Sequence, residues 1–130
     1  MILGFTKTMV VGRNGRRVPT HFEDKILSGK KLHTIRWDEK NRWKPGKKIH
    51  FATGVRSSKY NCFKEGVCKG VQKIEMQGRK VWIDGVALTW DELEDLAIND
   101  GFDSLKDFWL WFDQYTPFKG KIIHWTNLTY

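Results

Sequence analysis

The sequence predicts an α+β domain in which helices flank a mostly β core. The length of 130 residues suits one domain, which we expect to span residues 1–130. In the first two thirds, short segments rich in β-branched and aromatic residues alternate between apolar and polar positions, as strands do. In the last third, the apolar residues change to helical spacing, so helices and strands are expected in separate parts of the domain.

A short helix is the first helical element that the sequence predicts, over residues 20–28. Thr20 stands three positions before Glu23, as in a capping box, and Gly29 is a typical residue for a helix end. The segment that follows, 32–37, alternates and is rich in β-formers, which predicts a strand.

Four further strands are predicted in the middle of the chain, with a break near Gly66 between the second and the third. Their alternating or β-branched residues span 48–53, 61–63, 67–76 and 80–83. The glycine-containing segments typical of turns lie at 12–15, 45–46, 77–78 and 84–85. The Pro-Gly pair at 45–46 suits a type II turn in particular.

Two helices and one strand complete the prediction. Thr89 and Glu92 form a second capping-box pattern, and the helix that they open is expected to end at Gly101. Ser104 opens a third helix, whose aromatic stripe is expected to face the core. The segment 121–125 predicts a closing strand, which we expect to return to the first strand and close a barrel.

Charge is distributed unevenly along the chain. The net charge is +8, but residues 1–80 hold 20 Lys/Arg and 6 Asp/Glu, a net of +14. Residues 81–130 hold 3 Lys/Arg and 9 Asp/Glu, a net of −6. A basic face would attract a polyanion such as nucleic acid, or the two parts could neutralise each other across the fold. Charge alone leaves both interpretations open.

Composition argues against several classes of protein. No apolar run approaches the roughly 20 residues of a membrane span, and the first residues lack the layout of a secretory signal. Two cysteines and four histidines, without zinc-like spacing, argue against a disulfide framework or a metal site. We expect a cytoplasmic protein with reduced thiols, no cofactor and no membrane partner.

Two tryptophans lie among cations. Trp37 and Trp43 are interleaved with Arg36, Arg42 and Lys44. Aromatic rings in such a setting can stack on a base while the cations hold phosphate. The alternative is that the two rings cover one end of the core beside a loop.

The most specific motif is Gly-Lys-Lys-x-x-Thr-x-Arg at residues 29–36. It is accompanied by Arg-Trp-Lys-Pro-Gly at 42–46, Asp-Gly-Phe at 100–102 and Ile-Ile-His-Trp at 122–125. At these residues the sequence resembles an ASCH domain, a member of the PUA-like group of small β-barrels. The resemblance covers most of the chain.

The resemblance implies a PUA-like mixed β-barrel with flanking helices and a cleft near the first helix–strand junction. It also implies RNA, nucleotides or nucleosides as ligands. A small bacterial branch of the family hydrolyses N(4)-acetylcytidine to cytidine and acetate. Its functional Lys matches Lys31, its Thr matches Thr34, and its Glu falls at Asp100, whose side chain is one methylene shorter.

These residue types could perform amide hydrolysis. Thr34 would attack the acetyl carbonyl and Lys31 would take its proton, which requires the lysine pKa to fall about 3 units toward pH 7. Burial and nearby cations act in that direction. Residues three apart on a strand face opposite sides, so Lys31 must still lie in the turn after Gly29. Asp100 would hold the cytidine amino group or a water, and His33 would face away from Thr34.

The favoured interpretation is a module that binds RNA or a nucleoside in a basic cleft. The ligand-binding residues expected for phosphate, ribose or stacking are Arg36, Trp37, Arg42, Trp43, Lys44 and Arg56. One alternative is an amidohydrolase acting on acylated cytidine or a related nucleoside through Lys31, Thr34 and Asp100. Another is an RNA-cleaving enzyme in which Lys31 acts on a ribose hydroxyl.

Overall fold

The computed structural model describes residues 1–11 and 14–130. The turn predicted at 12–15 includes residues 12 and 13, which lie outside the described residues. The strands are β1 Ile2–Gly4, β2 Thr8–Val11, β3 Arg16–Pro19, β4 His33–Arg36, β5 Lys48–Thr53, β6 Asn61–Val67, β7 Gly70–Gln77, β8 Lys80–Ile83, β9 Val86–Ala87 and β10 Phe118–His124. The helices are α1 Phe22–Leu27, α2 Trp90–Asn99 and α3 Leu105–Phe112, and a 3₁₀ turn at Asp113–Tyr115 follows α3.

The described strands form three sheets rather than one closed barrel. Their orders are β4-β10-β7-β8-β9, β1-β5-β6 and β2-β3. β1 pairs with β5 in parallel, and the other pairs are antiparallel. The α+β class is therefore confirmed. The last strand, β10, lies between β4 and β7, with Ile122 opposite Ile35 and Gln72. It thus pairs with the strand predicted at 32–37, but among the described residues it does not pair with β1, and the expected closure into a barrel is not found.

Helix α1 begins two residues later than predicted, and its predicted capping box is wrong. The hydroxyl of Thr20 donates to the carbonyl of Thr6 at 2.7 Å and accepts from the backbone N–H of Phe22 at 3.4 Å. The residue before the helix is His21, with a left-handed φ of 56° and no side-chain cap. Thr20 therefore fastens the start of the chain to the helix instead of binding the third helical N–H.

Helices α2 and α3 begin where their caps predict. Thr89 accepts from the backbone N–H of Glu92 at 3.3 Å, and the Glu92 carboxylate returns to the Thr89 N–H at 2.9 Å. Ser104 caps α3 through the N–H of Asp107 at 3.2 Å. Helix α2 ends at Asp100, because Gly101 has a φ of 94°. This end places the Asp100 carboxylate toward the loop between α1 and β4.

The middle strands differ from the prediction at one point. β6 continues to Val67 and the break falls at residues 68–69, so the break expected near Gly66 is wrong. Gly66 stays in the ladder opposite Ile49, and a Cβ there would lie 3.0 Å from the ring of Phe51. The glycine therefore makes room for a core phenylalanine rather than ending the strand.

Turns connect the strands at the predicted sites, except that the turn predicted at 77–78 lies one residue later, at 78–79. Gly46 has a φ of 94° and the Lys47 N–H reaches the Lys44 carbonyl at 3.1 Å, as a type II turn requires. Residues 78–79 and 84–85 all have positive φ and form two-residue hairpin turns.

The core is unusual for the polar side chains that it buries. Beside a large apolar cluster lie the buried polar residues Thr20, Lys31, His33, Thr34, Thr53, Gln72, Asp100 and His124. Lysine and aspartate are almost never fully buried unless they are paired. Both cysteines are free, and none of the helices in the described ranges is long and apolar enough to span a membrane. The buried charges of Lys31 and Asp100 therefore indicate a candidate functional site.

Candidate functional site

A pocket of about 190 Å³ lies where the loop after α1, strand β4 and the end of α2 meet. Its polar side chains include Lys31, Thr34, Arg36 and Asp100, together with Thr6 and Tyr115. Its apolar walls include Phe5, Phe22, Trp37, Phe102, Trp111 and Phe118. A few convergent polar groups inside an apolar, concave lining are typical of a small-molecule site.

The loop between α1 and β4 brings Lys31 and Thr34 to the same pocket. Gly29 has a φ of 79°, and the backbone N–H of Lys31 donates to the carbonyl of Lys25 at 2.9 Å. Lys31 thus lies before β4 begins at His33, where the alternation of a strand does not apply. The side chains of Lys31 and Thr34 can converge because Lys31 lies in this loop and not on the strand.

Lys31 is a buried cation that contacts a carboxylate. Its side chain, in a residue only 1% exposed, donates from Nζ to the backbone carbonyl of Asp100 and lies 3.5 Å from Asp100 Oδ1. Nζ also lies 4.5 Å from the ring centre of Phe22. Burial lowers the pKa of Lys31 to about 8; the Asp100 carboxylate opposes that change, and the Arg36 charge adds to it. Asp100, which was expected to hold the cytidine amino group or a water, thus contacts Lys31 directly and raises the lysine pKa against the effect of burial.

Arg36 contacts the hydroxyl that was expected to be the nucleophile. Its Nε donates to Thr34 Oγ1 at 3.3 Å, and its Nη2 donates to the carbonyl of Gly4 at 2.6 Å. The guanidinium also lies 5.1 Å from the ring centre of Phe5. Burial lowers the pKa of Arg36 to about 10, against the effect of the Asp100 charge, so the group stays cationic at neutral pH. Thr34 accepts this bond and keeps its own hydroxyl hydrogen to donate.

Lys31 and Thr34 are not hydrogen-bonded to each other within the described residues, since Lys31 donates to Asp100. A proton can pass between them through a water, or after the lysine side chain turns from Asp100 toward Thr34. The pocket is the space in which either step would occur.

Asp100 is held from its other side by a buried histidine. His33 Nδ1 lies 3.0 Å from Asp100 Oδ1, and His33 Nε2 lies 2.5 Å from the hydroxyl of Tyr130. Asn99 donates to the same hydroxyl at 3.1 Å. Burial lowers the pKa of His33 and raises that of Tyr130, so the imidazole is neutral and the phenol keeps its proton.

These protonation states determine which group donates in each of these hydrogen bonds. Tyr130 donates to His33 Nε2, and His33 Nδ1–H donates to the carboxylate of Asp100. His33 faces away from Thr34 as predicted, yet it contacts the site through Asp100. Nothing in the motifs identifies Tyr130, because its contact with His33 spans 97 residues of sequence.

The aromatic residues expected to stack divide into two groups. Trp37 is 48% exposed, lies 4.5 Å from Phe118 between ring centres and lines the pocket. Trp43 is 8% exposed and packs in the core, so the prediction that its ring stacks on a base is wrong. The alternative that this ring covers the core fits its position.

The expected basic residues are similarly divided. Arg36 lines the pocket, whereas the exposed side chains of Arg42, Lys44 and Arg56 do not. The N–H groups of Arg42 and Trp43 both donate to the carboxylate of Asp38, which fixes this loop away from the pocket. Any phosphate contact by these outer cations would occur elsewhere on the surface.

Comparisons with known proteins give no match: no protein-family model, no curated protein and no solved structure is similar to this chain. Among residues 1–11 and 14–130, no group of three or more His, Cys, Asp or Glu side chains could hold a metal ion.

Proposed function

We propose that this chain is an ASCH domain of the PUA-like group whose pocket binds a nucleoside and hydrolyses the amide of an N(4)-acylated cytidine. One observation carries the proposal. Lys31 is almost completely buried, has a pKa of about 8, and lines the same small pocket as the hydroxyl of Thr34. A buried lysine with a lowered pKa in a cleft is the kind of group that acts as a base near neutral pH.

The shape of the pocket favours a single base over a length of polymer. Its volume of about 190 Å³ lies below the roughly 300 Å³ at which pockets for drug-sized ligands begin. The half-exposed ring of Trp37 at its edge offers a flat apolar surface for stacking. A planar pyrimidine with a short acyl group suits this lining.

The reaction divides into two balanced steps. Neutral Lys31, turned from Asp100 toward Thr34 or acting through a water, takes the proton of Thr34 as the threonine oxygen attacks the acyl carbon. The protonated lysine then donates to the amide nitrogen as the C–N bond breaks, so cytidine leaves and an acyl ester stays on Thr34. In the second step, Lys31 takes a proton from water, which attacks the ester. The ester C–O bond breaks, the alkoxide of Thr34 is protonated by Lys31, and the carboxylic acid is released.

Two neighbours support the roles of these residues. The Arg36 guanidinium, 3.3 Å from Thr34 Oγ1, can stabilise negative charge that develops at the reacting oxygens. Asp100 holds the ammonium of Lys31 between turnovers, and its own position is held by His33. The shorter aspartate reaches the lysine because α2 ends directly beside it.

Incubation with N(4)-acetylcytidine, followed by chromatographic measurement of cytidine, tests the proposal. Lys31→Met should lower the rate about 100-fold or more, as expected for loss of a general base, and Thr34→Val should do the same. Lys30→Met is the matched control, since this neighbouring lysine is exposed, and it should keep the wild-type rate. Absence of cytidine release, or an unchanged rate in Lys31→Met, would overturn the proposal.

RNA binding is the second candidate, and the charge distribution favours it. Residues 1–80 carry a net +14, and Arg42, Lys44 and Arg56 present exposed cations outside the pocket. Titration of a short single-stranded RNA at low and high salt tests this candidate, because phosphate contacts weaken steeply as salt rises. Gel analysis of the same RNA after incubation tests the RNA-cleaving alternative. No binding at low salt would exclude both.

A further inference from the structure

We call the pocket that Lys31 and Thr34 line the nucleoside pocket. A second pocket lies beside it, and the two share one segment of the chain. Its volume is about 540 Å³, and Gly4, Phe5 and Thr6 line both pockets. We call it the hairpin groove, because Lys7 before β2, the strands β2 and β3, and the loop after β5 supply its remaining lining. These residues are Lys7, Thr8, Arg17, Gly54, Val55, Ser57 and Lys59. A ligand that occupies both pockets would have to pass this shared segment.

The hairpin groove is lined by unneutralised positive charge. Lys7, Arg17 and Lys59 line it, and no Asp or Glu stands among the described residues of its lining. In the part of the chain that the structure describes, none of these three cations forms an ion pair with a carboxylate. Such a concentration of cations in a concavity attracts an anion. The hydroxyls of Thr6 and Thr8 in the same lining add hydrogen-bond donors.

Local structure holds the side chain of one of these cations, Arg17, and the backbone of another, Lys59. Arg17 Nη1 donates to Thr8 Oγ1 at 3.0 Å across the β2–β3 pair. The loop that carries Lys59 folds back tightly, since Gly54 has a φ of 65° and a Cβ there would lie 2.5 Å from the Lys59 carbonyl. Ser57 fastens this loop by donating to the Gly54 carbonyl at 2.7 Å and accepting from the Lys59 N–H at 3.1 Å. Ordering before binding reduces the entropy lost on binding.

We infer that the hairpin groove binds a phosphate group of a nucleotide whose base occupies the neighbouring pocket. The inference rests on the proposed function and names its substrate class: a phosphorylated cytidine derivative rather than the free nucleoside. An arginine beside lysines and hydroxyls suits phosphate oxygens, because the guanidinium can bind two of them at once. The phosphate can belong to a mononucleotide or to an RNA strand.

Calorimetric titration with reaction products tests the inference without requiring hydrolysis. The ligands are cytidine, its 5′-monophosphate, its 3′-monophosphate and a trinucleotide with a central cytidine. At least one phosphorylated ligand should bind about tenfold more tightly than cytidine, the low end of the range for hydrogen bonds to a charged group. High salt should reduce this gain, because the cations are exposed.

Variants of the groove cations test whether the phosphate binds in the hairpin groove. Arg17→Ala combined with Lys59→Ala should remove most of the gain and leave cytidine affinity unchanged, which also shows that the variant is folded. Lys80→Ala is the matched control, because this exposed lysine on β8 lines neither pocket, and it should keep the gain. A gain that survives the double variant would overturn the inference.

The ligand series separates the two proposals. Equal affinity for cytidine and for all phosphorylated ligands would overturn the groove and leave the nucleoside pocket standing. Binding of none of the ligands would overturn both. Tight binding of a mononucleotide would support the inference with a free nucleotide as the source of the phosphate, and tight binding of the trinucleotide alone would support it with RNA.

Discussion

Titration of the Lys31 amino group should give a pKa near 8 instead of the 10.5 of an exposed lysine. With this pKa, about one in ten Lys31 side chains is neutral at pH 7, against about one in 3,000 for an exposed lysine. If the neutral amine is the base, the rate of hydrolysis should rise with pH and level off above about pH 8.

The structure determines the direction in which Asp100→Asn should change the pKa of Lys31. The carboxylate lies 3.5 Å from Lys31 Nζ and raises the lysine pKa, so its removal should lower that pKa further. Opposite charges about 4 Å apart interact by about 4 kcal/mol at an effective dielectric constant of about 20, which corresponds to about 3 pKa units. We expect a decrease of about one to three units. Asparagine keeps an oxygen that can still accept from His33.

The assay is NMR of protein labelled with ¹³C and ¹⁵N in lysine, with the Lys31 signals assigned by comparison with Lys31→Met. Chemical shifts of the ε-methylene group are followed across the pH range in the wild type and in Asp100→Asn. A wild-type pKa near 10.5 would refute the claim that burial tunes this lysine. An unchanged pKa in Asp100→Asn would refute the claim that the carboxylate opposes burial.

Three further predictions concern stability and binding. Tyr130→Phe removes the donor to His33 Nε2 and should lower the free energy of unfolding in urea by about 1–3 kcal/mol. Trp37→Ala should weaken cytidine binding about tenfold in calorimetry, whereas Trp90→Ala, which removes a ring that is 67% exposed and outside the pocket, should leave it unchanged. The Lys31 pKa is lower in the folded chain than in the unfolded chain, so the unfolded chain binds more protons between about pH 8 and 10.5. Across this window the group should raise the free energy of unfolding by up to about 3 kcal/mol, and this rise should be missing in Lys31→Met.

Local sequence signals predicted the elements that depend on local contacts. The Thr89–Glu92 capping box and the hairpin turns at 78–79 and 84–85 involve neighbours only, and they form at or within one residue of the positions that the pattern indicates. The cap assigned to Thr20 failed because a carbonyl 14 residues away takes its hydroxyl. Strand partners failed for the same physical reason, since packing between distant segments decides that β10 lies between β4 and β7.

The site was predictable where a motif places several polar groups within a few residues. Lys31, Thr34 and Arg36 lie in one motif, and Asp100 joins them at the end of α2. The burial of the Trp43 ring was not predictable, because cations on both sides of an aromatic residue do not determine whether the ring faces solvent or core. The contact of Tyr130 with His33 depends on the folded arrangement of distant segments, which no local pattern records.

The pH dependence of cytidine release from N(4)-acetylcytidine tests most directly whether buried Lys31 is the base of a nucleoside amidohydrolase. Wild-type protein should show a rate that rises with an apparent pKa near 8, and Asp100→Asn should move this rise to lower pH. Lys31→Met should lose the rise together with about 99% of the rate or more. A wild-type rate that does not rise with pH near 8, or a Lys31→Met rate that shows the same rise, would contradict the account.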